Sequence, residues 1–322
     1  MSRYVVTGGA GFIGSNLVRS LLREPGARVV VVDNYLTGKP ENIHEVRDGI
    51  EVLEVDIRDY DDVRRAVRHA DVVYHLAAIP SVPRSIENPV PSHEVNVNGT
   101  FNVLRACTEE RVRRVIFAGS SSAYGDTDVL PKTEEMAPRP KSPYAVQKLI
   151  GENYATVFYS CYGLETVTLR FFNVFGPRQD PGSPYSGVIS IFMKKLIARE
   201  QPTIFGDGMQ TRDFTYVEDV AGLCRRAAAA PRSACGRVYN AGNGNRYTLN
   251  EVWETLNQIE GTNIPARYGP DRGGDVRDSQ ADTTAARKYL GHDPQYSLEE
   301  GLRRTLEWYR ASLTVEQPAL AG

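Results

Sequence analysis

Between Tyr4 and Asp33 the chain leaves itself little choice of local geometry. A β-branched run, Tyr4–Thr7, leads into Gly8-Gly9-Ala10-Gly11-Phe12-Ile13-Gly14, then a helical pattern over Phe12–Arg23, then a second β-branched run, Arg28–Asp33. Gly9, Gly11 and Gly14 satisfy G-x-G-x-x-G, and Gly8, Gly11 and Gly14 also satisfy G-x-x-G-x-x-G. Without Cβ atoms the backbone can turn tightly and approach a pyrophosphate, whose charge then faces the helix N-terminus. Asp33 follows Gly14 by 19 positions at the end of the second run. A carboxylate there accepts from a ribose 2′-OH and repels a 2′-phosphate, which favours NAD over NADP.

The same alternation continues. Strands are expected at Val52–Val55, Val72–Leu76, Arg114–Ala118 and Thr166–Arg170, with helices at Asp61–His69, Val95–Glu109 and Tyr144–Tyr162. The expected fold class is α/β, a Rossmann-type parallel sheet with helices on both faces and its ligand at the carboxyl ends of the strands. Past residue 175 the rhythm loosens, with short strands near Pro202–Phe205 and Arg237–Tyr239 and helices at Ser186–Arg199, Glu218–Ala229, Leu249–Glu260 and Leu298–Ala311. Residues 1–175 therefore read as the dinucleotide domain. Residues 176–314 read as a smaller C-terminal α/β lobe for substrate, with some segments returning to the sheet, and residues 315–322 as a frayed tail.

Composition narrows the class further. Lys and Arg total 38 against 40 for Asp and Glu, so the net charge of −2 gives no bulk attraction to nucleic acid or an anionic membrane. No apolar stretch is long enough to span a bilayer, and Met1–Val6 lacks an export pattern. Cys107, Cys161, Cys224 and Cys235 lie far apart, as buried thiols do rather than a disulfide framework or a metal site. The expectation is a cytoplasmic protein with no metal.

Tyr144-Ala145-Val146-Gln147-Lys148 places a phenol and an ammonium on one helix face. Moving a Tyr pKa from about 10 toward 7 takes roughly 4 kcal/mol, within reach of two nearby cations in a partly desolvated pocket. The fifth strand ends in Ala118-Gly119-Ser120-Ser121-Ser122-Ala123-Tyr124-Gly125, which brings hydroxyls to the edge where the crevice opens.

Together these segments resemble the extended short-chain dehydrogenase/reductases, and within them the NAD-dependent nucleotide-sugar epimerases. The resemblance implies that Gly8, Gly11, Phe12, Ile13, Gly14, Asp33, Asn34, Asp56, Ile57, Leu76, Ala77, Ala78, Asn96, Tyr144, Lys148 and Phe171 contact NAD. Asp56 and Ile57 would flank the adenine, and Phe171 and Phe172 would pack by the nicotinamide. Counting back four residues from Tyr124 selects Ser120 as the catalytic hydroxyl beside Tyr144 and Lys148, and a small gap would move that role to Ser122. Ser121 and Ser122 would then line the sugar site. Related dehydratases carry an Asp-Glu pair directly after that hydroxyl, and the serines here argue against dehydration.

Arg170-Phe171-Phe172-Asn173-Val174-Phe175-Gly176-Pro177 and Gly206-Asp207-Gly208-Met209-Gln210-Thr211-Arg212-Asp213-Phe214 resemble two further epimerase segments, as does Asp271-Arg272-Gly273-Gly274-Asp275-Val276. They imply Asn173 on a substrate phosphate, Arg212 and Arg272 as a diphosphate clamp, and Asp275 on a ribose hydroxyl. Val188, Phe192, Thr203, Ile204 and Phe205 would form a uracil slot. Ser279, seven positions after Arg272, would leave room for a 2-acetamido group. Ser81 and Arg84 would face the sugar, Arg84 alternatively meeting a uronate carboxylate. The implied activity interconverts C4 epimers of a UDP-hexose through a 4-keto sugar. The alternatives are a UDP-glucuronate epimerase or decarboxylase and, remotely, a non-catalytic NAD sensor. A homodimer through Val95–Glu109 and Tyr144–Tyr162 is the implied assembly.

Overall fold

The computed structural model describes residues 2–180, 187–271 and 276–315. The first half runs β1 (Arg3–Thr7), α1 (Phe12–Leu22), β2 (Arg28–Asp33), α2 (Glu41–His44), β3 (Ile50–Glu54), α3 (Tyr60–Ala66) and β4 (Val72–His75). It continues through α4 (Val82–Glu87), α5 (Pro89–His93), α6 (Thr100–Glu109), β5 (Arg114–Ser120), α7 (Pro143–Tyr162) and β6 (Glu165–Phe171). The second half brings β7 (Asn173–Phe175), α8 (Val188–Ile197), β8 (Thr203–Phe205), β9 (Thr211–Arg212), β10 (Phe214–Tyr216), α9 (Val217–Ala229) and β11 (Arg237–Ala241). Last come β12 (Tyr247–Thr248), α10 (Leu249–Glu260), β13 (Arg267–Gly269), α11 (Thr284–Leu290) and α12 (Leu298–Val315).

Seven strands form one sheet in the order β11-β6-β5-β4-β1-β2-β3, every pair parallel. The strand order reverses between β1 and β4, which opens a crevice above that pair. Val29 and Val31 face the helical layer of α1 and α9, while Val30 and Val32 face the layer of α3 and α6. A sheet covered on both faces takes such continuous valine runs, each buried side chain contributing about 1.5–3 kcal/mol.

The second half divides its material. β11 pairs residue by residue with Val167–Phe171, and α9 and α11 join the core on the α1 side. A separate core forms where Phe192 meets Trp253 edge-on at 5.3 Å, with Leu302 and Leu306 beneath. Three two-stranded pairs frame it: β7 with β10, β9 with β12, β8 with β13. The short helices α4 and α5 escape periodicity analysis because each is under two turns. Ser81 and Asn88 cap them with side-chain oxygens. The expected helix start at Ser186 and the segment 316–322 lie outside the described residues, and α12 extends to Val315. Among the described residues no helix is long and apolar enough to cross a membrane.

The continuous α-helix expected over Val95–Glu109 is not found. Glu94–Gly99 forms a widened π-helical turn before α6 begins at Thr100. Asn96 sits in that turn, and its side-chain amide is engaged by the backbone of Ile79. Such turns gather where a side chain has to reach out of the regular ladder.

His75 ends β4 wholly buried between two hydroxyls. Its Nδ1 lies 2.8 Å from Thr7 Oγ1 and its Nε2 3.0 Å from Thr100 Oγ1. Thr100 gives its proton to the Asn96 carbonyl at 2.7 Å, so it accepts from Nε2–H, and Nδ1 accepts from Thr7. Burial holds the imidazole neutral, its pKa lowered to about 3, with the Lys148 charge adding to the effect. The unfolded imidazole takes a proton near its ordinary value of about 6.5, so the unfolded state binds more protons between these limits and stability rises with pH across them. Urea midpoints measured down from neutral pH should therefore fall through this window, and His75→Phe should flatten that limb. An identical acid limb in the variant would assign the loss elsewhere.

Candidate active site

A cavity of about 780 Å³ opens at the carboxyl ends of β1, β2, β4 and β5. Its floor is the glycine loop. Gly8 has φ of 72°, and a Cβ there would lie 2.7 Å from Ala77 N. A Cβ on Gly14 would lie 2.1 Å from the Gly8 carbonyl oxygen. The loop can press against the end of β4 and enter α1 only because both lack side chains. Gly11 caps α1 with no side-chain acceptor, which leaves the first N–H groups turned to the cavity.

Asp33 closes the end of β2. Its carboxylate accepts from Ala10 N and Tyr35 N, both at 2.9 Å. Burial pushes its pKa up and these two bonds oppose the rise. Each oxygen keeps a lone pair for a ribose diol, so the wall fits an NAD ribose and opposes a 2′-phosphate. Further along, Asn34 donates to Asp56 at 2.9 Å, and Arg58 pairs with that carboxylate at 2.6 Å and holds its pKa down to about 2. Phe12, Ile13, Ile57, Leu76, Ala77, Ala78 and Phe171 all line the same cavity.

The chemical end is built by β5 and α7. Ser142 caps α7 by accepting from Ala145 N, and Pro143 supplies a preset first turn. Tyr144 and Lys148 then face the cavity with Ser120, which ends β5. The Ser120 hydroxyl acts on the Tyr144 phenol and works to lower its pKa, and its Oγ lies 2.8 Å from Ser122 Oγ. Lys148 donates to the Ala118 carbonyl at 2.9 Å, and burial lowers its pKa to about 8. The expected lowering of the Tyr144 pKa is not found in the protein alone. Burial of the phenol dominates and raises it, with the Ser120 hydroxyl opposing.

Several expected contacts are relocated. Asn96 is not on the cavity surface; its amide is spent on Ile79 and Gln147 behind the wall. Ser121 and Ser122 occupy the tight turn after β5, outside the lining, with Ser122 turned to Ser120. Phe192 and Ile204 are core residues of the second lobe, 1% and 2% exposed, and are not among the lining of the described cavity. Val188 begins α8 at the edge of that core, and Thr203 and Phe205 are exposed on β8. Asn173 opens β7 between the lining residues Phe172 and Val174 without itself lining the cavity, its N–H donating to Asp213 O at 3.1 Å.

Ser81 and Arg84 line the cavity from the start of α4. Arg212 donates to the Thr211 and Arg277 carbonyls at 2.9 and 3.1 Å. Ser279 is buried against the same strand, its N–H on Thr211 O at 3.1 Å, and does not line the cavity. Arg272 and Asp275 lie outside the described residues.

Sequence reasoning missed the loop after β7. Gln179 and Asp180 line the cavity, and Asp180 pairs with Lys39 from the loop after β2 at 3.1 Å. It also missed Asp213, fully buried, whose carboxylate accepts from Asn243 N, Gly244 N and Ala281 N at 2.8–3.0 Å. Its place in the Arg212-Asp213-Phe214 motif was the available signal.

A glycine-floored crevice, an acidic ribose wall and a Ser/Tyr/Lys cluster define an NAD-dependent enzyme of the extended reductase type. Residues 4–242 match the model of the NAD dependent epimerase/dehydratase family, and the chain belongs to it. It is 38% identical over 312 residues to a UDP-glucose 4-epimerase of Mycolicibacterium smegmatis, covering 96% of this chain and 98% of the relative. The structure of a UDP-N-acetylglucosamine 4-epimerase from Methanobrevibacter ruminantium M1, in complex with UDP-N-acetylmuramic acid, superposes with a TM-score of 0.91 at 35% identity, over 97% of this chain and 99% of that one. A UDP-glucuronic acid 4-epimerase from Bacillus cereus, in complex with UDP-glucuronic acid and NAD, gives 0.89 at 31% identity over 96% and 99%.

Gly14→Ala should weaken NAD binding by at least about tenfold, roughly 1.4 kcal/mol, because its Cβ meets backbone that has nowhere to move. Titration of the variant with NAD checks this, and parent-like affinity would contradict the loop geometry.

Proposed function

We propose that the chain is a UDP-hexose 4-epimerase acting on UDP-N-acetylglucosamine and UDP-N-acetylgalactosamine, and accepting UDP-glucose and UDP-galactose. The observation that carries this reading is that Ser120, Tyr144 and buried Lys148 line one cavity that also has Asp33 in its wall. Bound NAD supplies reversible hydride acceptance at sugar C4, with no net redox change over a cycle. Tyr144 takes the 4-OH proton and later returns it, and Ser120 orients that hydroxyl. Because burial raises the phenol pKa, ionisation needs positive charge close by. Lys148 supplies part of it and the nicotinamide ring the rest. The 4-keto sugar has to turn over in the pocket, so binding energy comes mainly from the nucleotide diphosphate. No carboxylic acid pair follows Ser120, which leaves nothing to expel water from the sugar.

The named relatives support a UDP-sugar, and Ser279 is offered as the residue that sets sugar size, acting from its buried place beside β9 and not from the cavity lining. Arg212 is the described residue offered for the diphosphate, with Arg272 its proposed partner. The apolar side chains exposed on α6 and α7 (Phe101, Val146, Val157 and Tyr162) support a homodimer through these helices. A second reading, a UDP-glucuronate epimerase or decarboxylase, is favoured by Arg84 in the cavity wall.

Incubation with a panel of UDP-sugars, read by sugar analysis, should equilibrate a C4 pair without added reductant. Turnover confined to UDP-glucuronate, and abolished by Arg84→Ala, would transfer the assignment to the second reading. Tyr144→Phe should retain NAD and lose on the order of 10²–10⁴ in turnover, and substantial residual activity would remove Tyr144 from the mechanism. Ser279→Tyr should suppress N-acetyl substrates selectively, and an unchanged substrate ratio would reject the residue as a size filter.

A further inference from the structure

Gln147 lies on α7 between Tyr144 and Lys148 and is 3% exposed. A helix at that position would bury an apolar side chain at lower cost than a primary amide. Both ends of this amide are engaged. Oε1 accepts from Asn96 Nδ2 at 2.9 Å, and Nε2 donates to Ser92 Oγ at 3.0 Å. Ser92 passes its own proton to the Pro89 carbonyl at 3.0 Å. Asn96 accepts from Ile79 N–H at 2.8 Å and donates to Ile79 O at 3.2 Å, and Ile79 lines the dinucleotide cavity. A flipped Gln147 amide would set its NH₂ against that of Asn96 and its oxygen against a hydroxyl already committed as a donor to Pro89. The chain from α5 to the cavity wall therefore has one direction only.

We propose that Gln147 is a positioning residue for the redox chemistry, holding the catalytic face of α7 in register with the Ile79 wall of the dinucleotide cavity. The inference deepens the epimerase reading and rests on it for the roles of Tyr144 and Lys148. Tyr144 and Lys148 flank the anchor on one helix, so a shift of α7 displaces both together. A misplacement of about 1 Å costs on the order of 10²-fold in rate. Arg212, proposed for the nucleotide diphosphate, sits on β9 and not on α7, so substrate affinity does not depend on this anchor.

Gln147→Leu keeps the approximate volume and removes both bonds. Its NAD Kd should rise about tenfold, and kcat on the preferred UDP-sugar should fall at least tenfold with KM within twofold. An NAD Kd and kcat both within twofold of the parent, or a KM that rises as kcat falls, would overturn the proposal. If the parent turns over no UDP-sugar, the epimerase reading fails, and the NAD titration still decides the role of Gln147. Gln147→Glu covers the case in which the leucine variant does not fold. A buried carboxylic acid copies both amide bonds only while protonated, so this variant should match the parent at acid pH and lose NAD affinity as it ionises. The charged or titratable groups near it are His93 on α5 and Glu94 in the following turn, which line the same surface cleft as Gln147, and Lys148, next along α7. A glutamate variant with the parent's pH dependence of NAD binding would overturn the proposal.

Discussion

The site depends on backbone meeting backbone where β1 turns into α1. Gly8 lies against Leu76 and Ala77, and Gly14 lies against Gly8, at separations that admit no Cβ. That contact brings the end of β4 beside the first turn of α1, and the cavity is the space left above it. Asp33 and Ser120 end the strands on either side of this point, and α7, packed on β5, brings Tyr144 and Lys148 to the same cavity. Their positions follow from the parallel sheet and not from local loop conformation.

Much of this was legible in the chain because it is local. The glycine spacing, the acid at the end of β2, the serine turn after β5 and the Tyr144/Lys148 spacing each involve a few neighbouring residues whose relation a strand or helix fixes. The valine runs reveal the parallel sheet for the same reason: two buried faces leave no alternation to read. Asn96 was legible as important and illegible in role. Periodicity predicts an α-helix there, whereas the π-helical turn turns its amide to Ile79 and Gln147. Tyr144 shows the limit for electrostatics. Spacing places a lysine one turn away, but burial, which sets the direction of the pKa shift, exists only in the folded molecule.

The second lobe was less legible. Phe192 and Ile204 are apolar residues in family-like segments, and apolar residues serve a core as readily as a ligand slot; packing against Trp253 and β13 gives them to the core. Asp213 stands in sequence only as one member of the Arg212-Asp213-Phe214 motif, with no partner in view. In the fold it gathers three backbone N–H groups from two distant segments, and burial raises its pKa while those bonds hold it down. Such convergence leaves no trace in spacing.

The return of β11 and α9 to the large sheet has a consequence for how this protein can be taken apart. The chain leaves the sheet after β6, builds part of the second lobe, then comes back to lay β11 along the edge of β6 before departing again. Severing it at the apparent midpoint would strip an edge strand from one fragment and strand a sheet element in the other, so neither piece inherits a finished core. The lobes are interlaced, not modular. Grafting a new specificity region onto this scaffold therefore requires exchanging loops in place while the returning strand stays with its sheet.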